Sequence, residues 1–380
     1  MSSAAADPKL DAEANEVVGQ AQASEPDMAE DMAETVQSTV ESILRRGLIG
    51  LEYLSIEDPQ PGSTPKDTIL TDGSMKLCHY RPQTEEIYRV PLLVITSLVS
   101  KPYILDLTPG QSMMEYLVQA GYDVYLVDWG APLPEESTLT LDDYVMDRLH
   151  ACVERIAEYS GEDELNMLGY CLGGTLGILY LATHPEAPIE NMVCLTTPVN
   201  FKGMGLFTQW TDERYFDVDR IVDSLGNVPG EMLLSAFDML RPTGRLTSPI
   251  QMLDRIRDDR YVKSFMMIDR WASDQIPFAG EAFRQMIKQL YWKNAMLEGT
   301  FELGGQTVDL KSITTPVIHA MAEHDHIVPF EAAEPLLEEV GSQDAEAIVL
   351  RGGHASLVAG GNAKYRLWPK LDQWLSVRSV

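Results

Sequence analysis

Residues Gly169-Tyr170-Cys171-Leu172-Gly173-Gly174 place a thiol between glycines. An apolar run, Leu165-Asn166-Met167-Leu168, precedes them, and Thr175–Ala182 follows with helical character. Strand, sharp turn and helix in that order are the setting of a G-x-S-x-G nucleophile elbow, here with cysteine in the serine's place. The N-terminal end of the following helix would favour the thiolate. The chemistry suggested is acyl transfer through a thioester. G-x-C-x-G also arises in glycine-rich turns, and a buried cysteine can be merely a small apolar residue. The rest of the chain must therefore supply a base and an acid.

A thiol nucleophile needs a base, and the base needs an orienting group. Of the seven histidines, His324, His326 and His354 are the loop candidates downstream of the elbow. His354 follows Gly352-Gly353 at the end of an apolar strand, Ala347–Leu350, which makes it the candidate base. Asp325, in Glu323-His324-Asp325-His326-Ile327-Val328-Pro329, follows the strand-like run Val317–Ala322 and is the candidate acid, with Glu323 as the weaker alternative. His150 and His184 fall on helical stretches, and His79 and His319 within strand-like runs, so all four read as structural. An oxyanion hole would use the backbone N–H of Leu172 plus one donor from the loop after Leu92–Val99, with Leu98, Val99 and Ser100 as candidates; Val99 is the choice carried forward. Cys78, Cys152 and Cys194 have no motif support and read as core residues.

These residues need a scaffold that brings strand ends together. Leu77–Tyr80, Leu92–Val99 (LLVITSLV), Val124–Asp128, Met192–Thr196, Val317–Ala322 and Ala347–Leu350 read as strands. Gly110–Ala120 and Leu141–Tyr159 read as helices between them. Buried apolar strands alternating with helices predict a mostly parallel sheet covered on both faces. Chain order Cys, Asp, His fits the α/β-hydrolase topology, so the predicted fold is an α/β-hydrolase with an inserted helical cap. The core would be residues 56–197 and 316–380. The cap would be 198–315, with helices near Met232–Arg241, Pro249–Arg257 and Glu281–Leu297. Residues 1–35 hold nine acids and one lysine and read as a disordered acidic tail. Residues 36–55 read as an amphipathic helix, with Val36, Val40, Ile43, Leu44, Leu48 and Leu51 at helical spacing.

Composition sets further bounds. The chain of 380 residues carries 58 acidic and 29 basic side chains, for a net charge of −29. Phosphate backbones would be repelled, so nucleic-acid binding is not expected. An acidic surface in which arginine outnumbers lysine fits a protein working at high salt. No run of 18 apolar residues occurs, so no transmembrane helix is expected, and no signal peptide is read at the N-terminus. The four cysteines lack C-x-x-C pairing and read as separate thiols in a reducing compartment.

With these residues in view, the chain from about Thr35 onward resembles the polyhydroxyalkanoate synthases. The resemblance rests on Gly-Tyr-Cys-Leu-Gly-Gly at 169–174, Lys101-Pro102-Tyr103-Ile104-Leu105-Asp106-Leu107, Tyr125-Leu126-Val127-Asp128-Trp129-Gly130, Asp325-His326-Ile327-Val328-Pro329 and Gly352-Gly353-His354. It implies polymerisation of 3-hydroxyacyl-CoA, chiefly short-chain 3-hydroxybutyryl-CoA, into storage polyester. Cys171 would carry the growing chain as a thioester and His354 would generate the thiolate. Asp325 would either orient His354 or help activate the 3-hydroxyl. His326 shares the motif. The size implies class III, whose catalytic subunit works with a second subunit, and class IV has a similar catalytic subunit with another partner. Homo-oligomers, a cytoplasmic location at polyester granules, no cofactor beyond the CoA thioester substrate, and a haloarchaeal or similarly halophilic source complete the expectation. Lys202, Arg214, Arg220 and Arg284 are cations in or near the cap, and none is singled out for CoA. A cysteine-type ester or lactone hydrolase is the competing enzyme, and a non-enzymatic granule-surface protein is the third reading.

Overall fold

The computed structural model describes residues 61–240 and 259–380; side chains of 259–261 are not described. The expected tail at 1–35, the helix at 36–55 and the helix Pro249–Arg257 lie outside the described residues.

Valine, leucine and isoleucine runs form the sheet because their side chains can be buried on both faces. The strands are β1 (Lys66–Asp72), β2 (Met75–Tyr80), β3 (Leu92–Ile95), β4 (Val124–Asp128), β5 (Leu165–Tyr170), β6 (Ile189–Leu195), β9 (Val317–Ala322) and β10 (Ala345–Leu350). They lie in the order β1-β2-β4-β3-β5-β6-β9-β10. β4 to β10 run parallel, and β1 and β2 are joined antiparallel at one edge. A short hairpin, β7 (Glu302–Leu303) and β8 (Gln306–Thr307), turns at Gly304-Gly305, both at positive φ. The sequence reading missed β1, whose KDTILTD holds only two apolar residues, Ile69 and Leu70, at an exposed edge.

Helices α1 (Met113–Gln119), α2 (His150–Ser160), α3 (Leu172–Thr183) and α8 (Trp368–Ser376) pack against the sheet. Between β6 and β9 the described chain adds no strand to the large sheet. It forms α4 (Val218–Leu225), α5 (Gly230–Leu240), α6 (Asp259–Ser273) and α7 (Gly280–Gln285), the last continuing into the helical segment Met286–Trp292. Among the described residues, no helix is long and apolar enough to cross a membrane.

One expected strand is shorter than predicted. Leu92–Val99 is strand only to Ile95; Thr96 to Val99 form the loop that leaves the sheet edge. The apolar run continues because Leu98 is buried and Val99 half-buried in that loop, so hydrophobicity there marks packing rather than pairing. Ser100 instead bridges to Gln275, and Trp271 donates its indole N–H to the Lys101 carbonyl at 2.9 Å. The loop after β3 is thus held under the insertion.

Candidate active site

The turn between β5 and α3 is a single residue. Cys171 has φ 56° and ψ −126°, a region that L-residues seldom occupy. Its N–H donates to the Leu195 carbonyl of β6 at 2.9 Å, which fixes the turn against the sheet. The strain therefore sits on the cysteine, not on the glycines beside it. Those glycines answer to space. A Cβ on Gly169 would come within 2.3 Å of the Gly174 Cα, and one on Gly173 within 2.1 Å of the Ile95 carbonyl oxygen. Close approach of α3 to β3 and β5 is what the G-x-C-x-G-G spelling allows. Gly173 to Thr183 are all buried, as expected of a helix apolar on every side. Burial of Leu176, Ile178, Leu179 and Leu181 contributes about 1.5–3 kcal/mol each.

Leu172 is the first residue of α3, so its N–H has no partner within the helix and stands beside the thiol. Leu98 and Leu172 line a small cavity of about 10 Å³ together with Thr175, Met286 and Leu290. The loop after β3 and the start of α3 thus share one pocket wall with the insertion.

Asp325 and His354 come from the loops after β9 and β10. These loops are tied to each other: Glu323 N–H donates to the Leu350 carbonyl at 3.0 Å, and His324 N–H to the Gly352 carbonyl at 2.9 Å. Gly352 is required for space, since a Cβ there would lie 2.2 Å from Ser356 Oγ. The tie brings His354 Nδ1 to 2.8 Å from Asp325 Oδ2, with both side chains buried. Asp325 Oδ1 accepts N–H groups from Ile327 and Val328, each at 2.9 Å. Burial works against the imidazolium, but the Asp325 carboxylate and the Cys171 sulfur, acting by charge and by hydrogen bond, outweigh it. The His354 pKa is raised to about 10. Cys171, His354 and Asp325 are therefore electrostatically one unit.

The other candidates are placed elsewhere. Glu323, His324 and His326 are exposed, so in that loop Asp325 is the charged side chain that turns inward. His79 Nε2 lies 2.7 Å from Asp123 and its ring stacks on Tyr125. His150 and His184 stack on each other near Tyr180, at the far end of α3. His319 Nε2 accepts the Thr197 N–H at 3.1 Å, and burial lowers its pKa to about 3. Cys78, Cys152 and Cys194 are buried, and burial pushes their thiols up. Lys202 pairs with Glu298, Arg214 with Asp212, and Arg284 with Asp219, Asp223 and Glu281; Arg220 is exposed.

Sequence reasoning missed two tyrosines. The Tyr170 ring lies 5.2 Å from the His354 ring, and its hydroxyl is buried with no hydrogen-bond partner among the described residues. Burial, then the charges of Cys171 and Asp325, push its phenol well above the usual range. Tyr291, from the insertion, is also pushed up, by burial and then by Cys171. The position directly before the elbow cysteine could have flagged Tyr170. Nothing in the sequence ties Tyr291 to Cys171. A larger cavity of about 320 Å³ opens elsewhere, between residues 61–131 and Ile276, and touches none of Cys171, Asp325 and His354. Lys66 and Lys101 at its wall are paired with Asp106 and Asp274.

Comparison with known proteins bears on the fold and the family. Residues 91–358 match the alpha/beta hydrolase fold family, and residues 61–117 match the poly-beta-hydroxybutyrate polymerase (PhaC) N-terminus. A soluble variant of yeast (Saccharomyces cerevisiae) monoglyceride lipase is similar in fold alone: 14% identity, TM-score 0.52, covering 86% of this chain and 97% of that one. The poly(3-hydroxyalkanoate) polymerase subunit PhaC of Allochromatium vinosum is 38% identical over 336 residues, 87% of this chain and 93% of that protein. That of Haloferax mediterranei is 34% identical over 327 residues, 86% of this chain and 66% of the relative, so the chain spans about two thirds of that protein's length. On the match to the PhaC N-terminus and the identity across nearly the whole Allochromatium subunit, this chain belongs to the PhaC family of poly(3-hydroxyalkanoate) polymerases.

Proposed function

We propose that this protein polymerises 3-hydroxyacyl-CoA, short-chain 3-hydroxybutyryl-CoA above all, into polyhydroxyalkanoate with Cys171 as the covalent carrier. The observation that carries the reading is the buried His354–Asp325 pair acting on a strained elbow cysteine, within a chain of the PhaC family. The Cys171 thiolate attacks the thioester carbonyl; the new C–S bond forms as the bond to CoA sulfur breaks, and CoA leaves with a proton from His354. The 3-hydroxyl of the next unit then gives its proton to His354, its oxygen forms the ester, and the Cys171 thiolate departs. Thiol exchange on a thioester is nearly isoenergetic, which suits cysteine better than serine.

Asp325 serves as the orienting group. Both its oxygens are already engaged, Oδ1 by two amides and Oδ2 by His354, which leaves it poorly placed to reach a substrate hydroxyl. The N–H of Leu172 and that of Val99 form the oxyanion hole. The insertion from 198 to 315 acts as a cap that keeps water from the thioester. A second subunit of the class III type, self-association, granule attachment and work at high salt complete the reading. The haloarchaeal relatives and the net charge of −29 support the last of these.

The test is incubation with 3-hydroxybutyryl-CoA, with and without a class III partner subunit, at low and high salt, following CoA and insoluble polymer. Polymer with stoichiometric CoA is expected. CoA release with free 3-hydroxy acid alone identifies a hydrolase, and no CoA release under any condition overturns an enzymatic reading.

A further inference from the structure

Strand order divides the space around Cys171. β3, whose loop carries Leu98 and Val99, neighbours β5 on one side. β6, β9 and β10, which lead to Phe201, Asp325 and His354, lie on the other. In the reading above, an alcohol that gives its proton to His354 approaches along this second side. Tyr291 stands there. Its ring meets Phe201 edge-on at 5.2 Å, and Phe201 lies just beyond the end of β6. The segment that bears Tyr291 is clamped: Phe201 N–H donates to Asn294 Oδ1 at 2.8 Å, and Asn294 Nδ2 donates to Asn200 Oδ1 at 3.1 Å. Leu290 and Met286 of the same segment line the small cavity with Leu172 and Thr175, so the segment lies over the elbow. Burial, and after it the Cys171 sulfur, push the Tyr291 phenol up. A phenol on a segment clamped over the elbow is placed to meet a substrate atom.

We infer that the Tyr291 hydroxyl donates a hydrogen bond to the incoming 3-hydroxyl and holds it between the Cys171 thioester and His354. The inference rests on the polymerase reading above. The alcohol oxygen accepts from Tyr291 through one lone pair, attacks the thioester carbonyl with the other and passes its proton to His354, as the C–S bond breaks and the Cys171 thiolate leaves. The phenol keeps its own proton throughout. Water can make the same hydrogen bonds but has no acyl chain to anchor it, so Tyr291 raises the share of productive alcohol encounters.

Rapid mixing with 3-hydroxybutyryl-CoA separates acylation, read as the first equivalent of CoA released, from elongation. Tyr291→Phe preserves the ring against Phe201. Its first equivalent of CoA is expected within about twofold of wild type, with elongation about tenfold slower and a larger share of free 3-hydroxy acid. Equal slowing of acylation and elongation, or an unchanged ratio of polymer to acid, overturns the inference. Phe201→Leu, which loosens the ring and leaves the hydroxyl, is expected to shift the same ratio by a smaller factor; no shift in either variant also overturns it. Wild type that releases CoA without making polymer defeats the polymerase reading instead.

Discussion

The carboxylate of Asp325 faces two ways. One oxygen lies 2.8 Å from His354 Nδ1, and the other accepts backbone N–H groups of Ile327 and Val328. The amides hold the carboxylate still, so the imidazole is oriented by the fold. Asp325→Asn keeps the shape and removes the charge that most strongly supports the imidazolium, leaving burial to push His354 down. We expect CoA release to fall by roughly two orders of magnitude or more, by analogy with orienting carboxylates in other triads. The basic limb of the pH–rate profile should move to lower pH. A profile identical to wild type would refute the orienting role.

Cys171→Ala should abolish CoA release and polymer while leaving the circular dichroism spectrum intact. Cys171→Gly should be equally inactive but more stable than Cys171→Ala, by about 1 kcal/mol, because glycine accepts φ 56° and ψ −126° without strain. Thermal melts of the two variants side by side measure this difference. Equal melting temperatures would place the strain elsewhere.

Two glycines should behave in opposite ways. Gly173→Ala drives a methyl group to 2.1 Å from the Ile95 carbonyl oxygen, a backbone atom that cannot step aside. Poor expression or a non-native spectrum is expected. Gly353→Ala meets nothing closer than the His324 carbonyl oxygen at 3.5 Å and has φ −111°, so it should fold and keep at least half its activity.

The two buried histidines make stability depend on pH with opposite signs. His354 is raised from 6.5 to about 10, so its contribution is complete below about pH 6.5 and fades as pH climbs toward 10. His319 is lowered from 6.5 to about 3, so its contribution is complete above about pH 6.5 and fades as pH falls toward 3. Urea unfolding of His354→Gln and wild type should therefore converge at alkaline pH, and that of His319→Gln and wild type at acid pH. Convergence at the opposite ends would contradict both assignments.

The order of Cys171, Asp325 and His354, each just past an apolar run, was enough to predict a parallel sheet with a thiol, an acid and a base at its carboxyl edge. A period-two or continuous apolar pattern is local information, and so is the glycine spelling of a sharp turn. β1 escaped because an exposed edge strand has little apolar contrast. Leu92–Val99 was read too long because a buried loop is as apolar as a strand. The sequence ranked Asp325 above Glu323 as the acid, and in the fold Asp325 lies 2.8 Å from His354 while Glu323 is exposed. Nor could it link the segment that bears Tyr291 to the elbow, about 120 positions earlier, because the two meet only once the insertion folds back over the sheet edge. Residue types and short spacings determined which groups could react. Which of them share one desolvated space, and so shift one another's protonation, only the tertiary structure decided, because electrostatic coupling depends on distance in space and on exclusion of water.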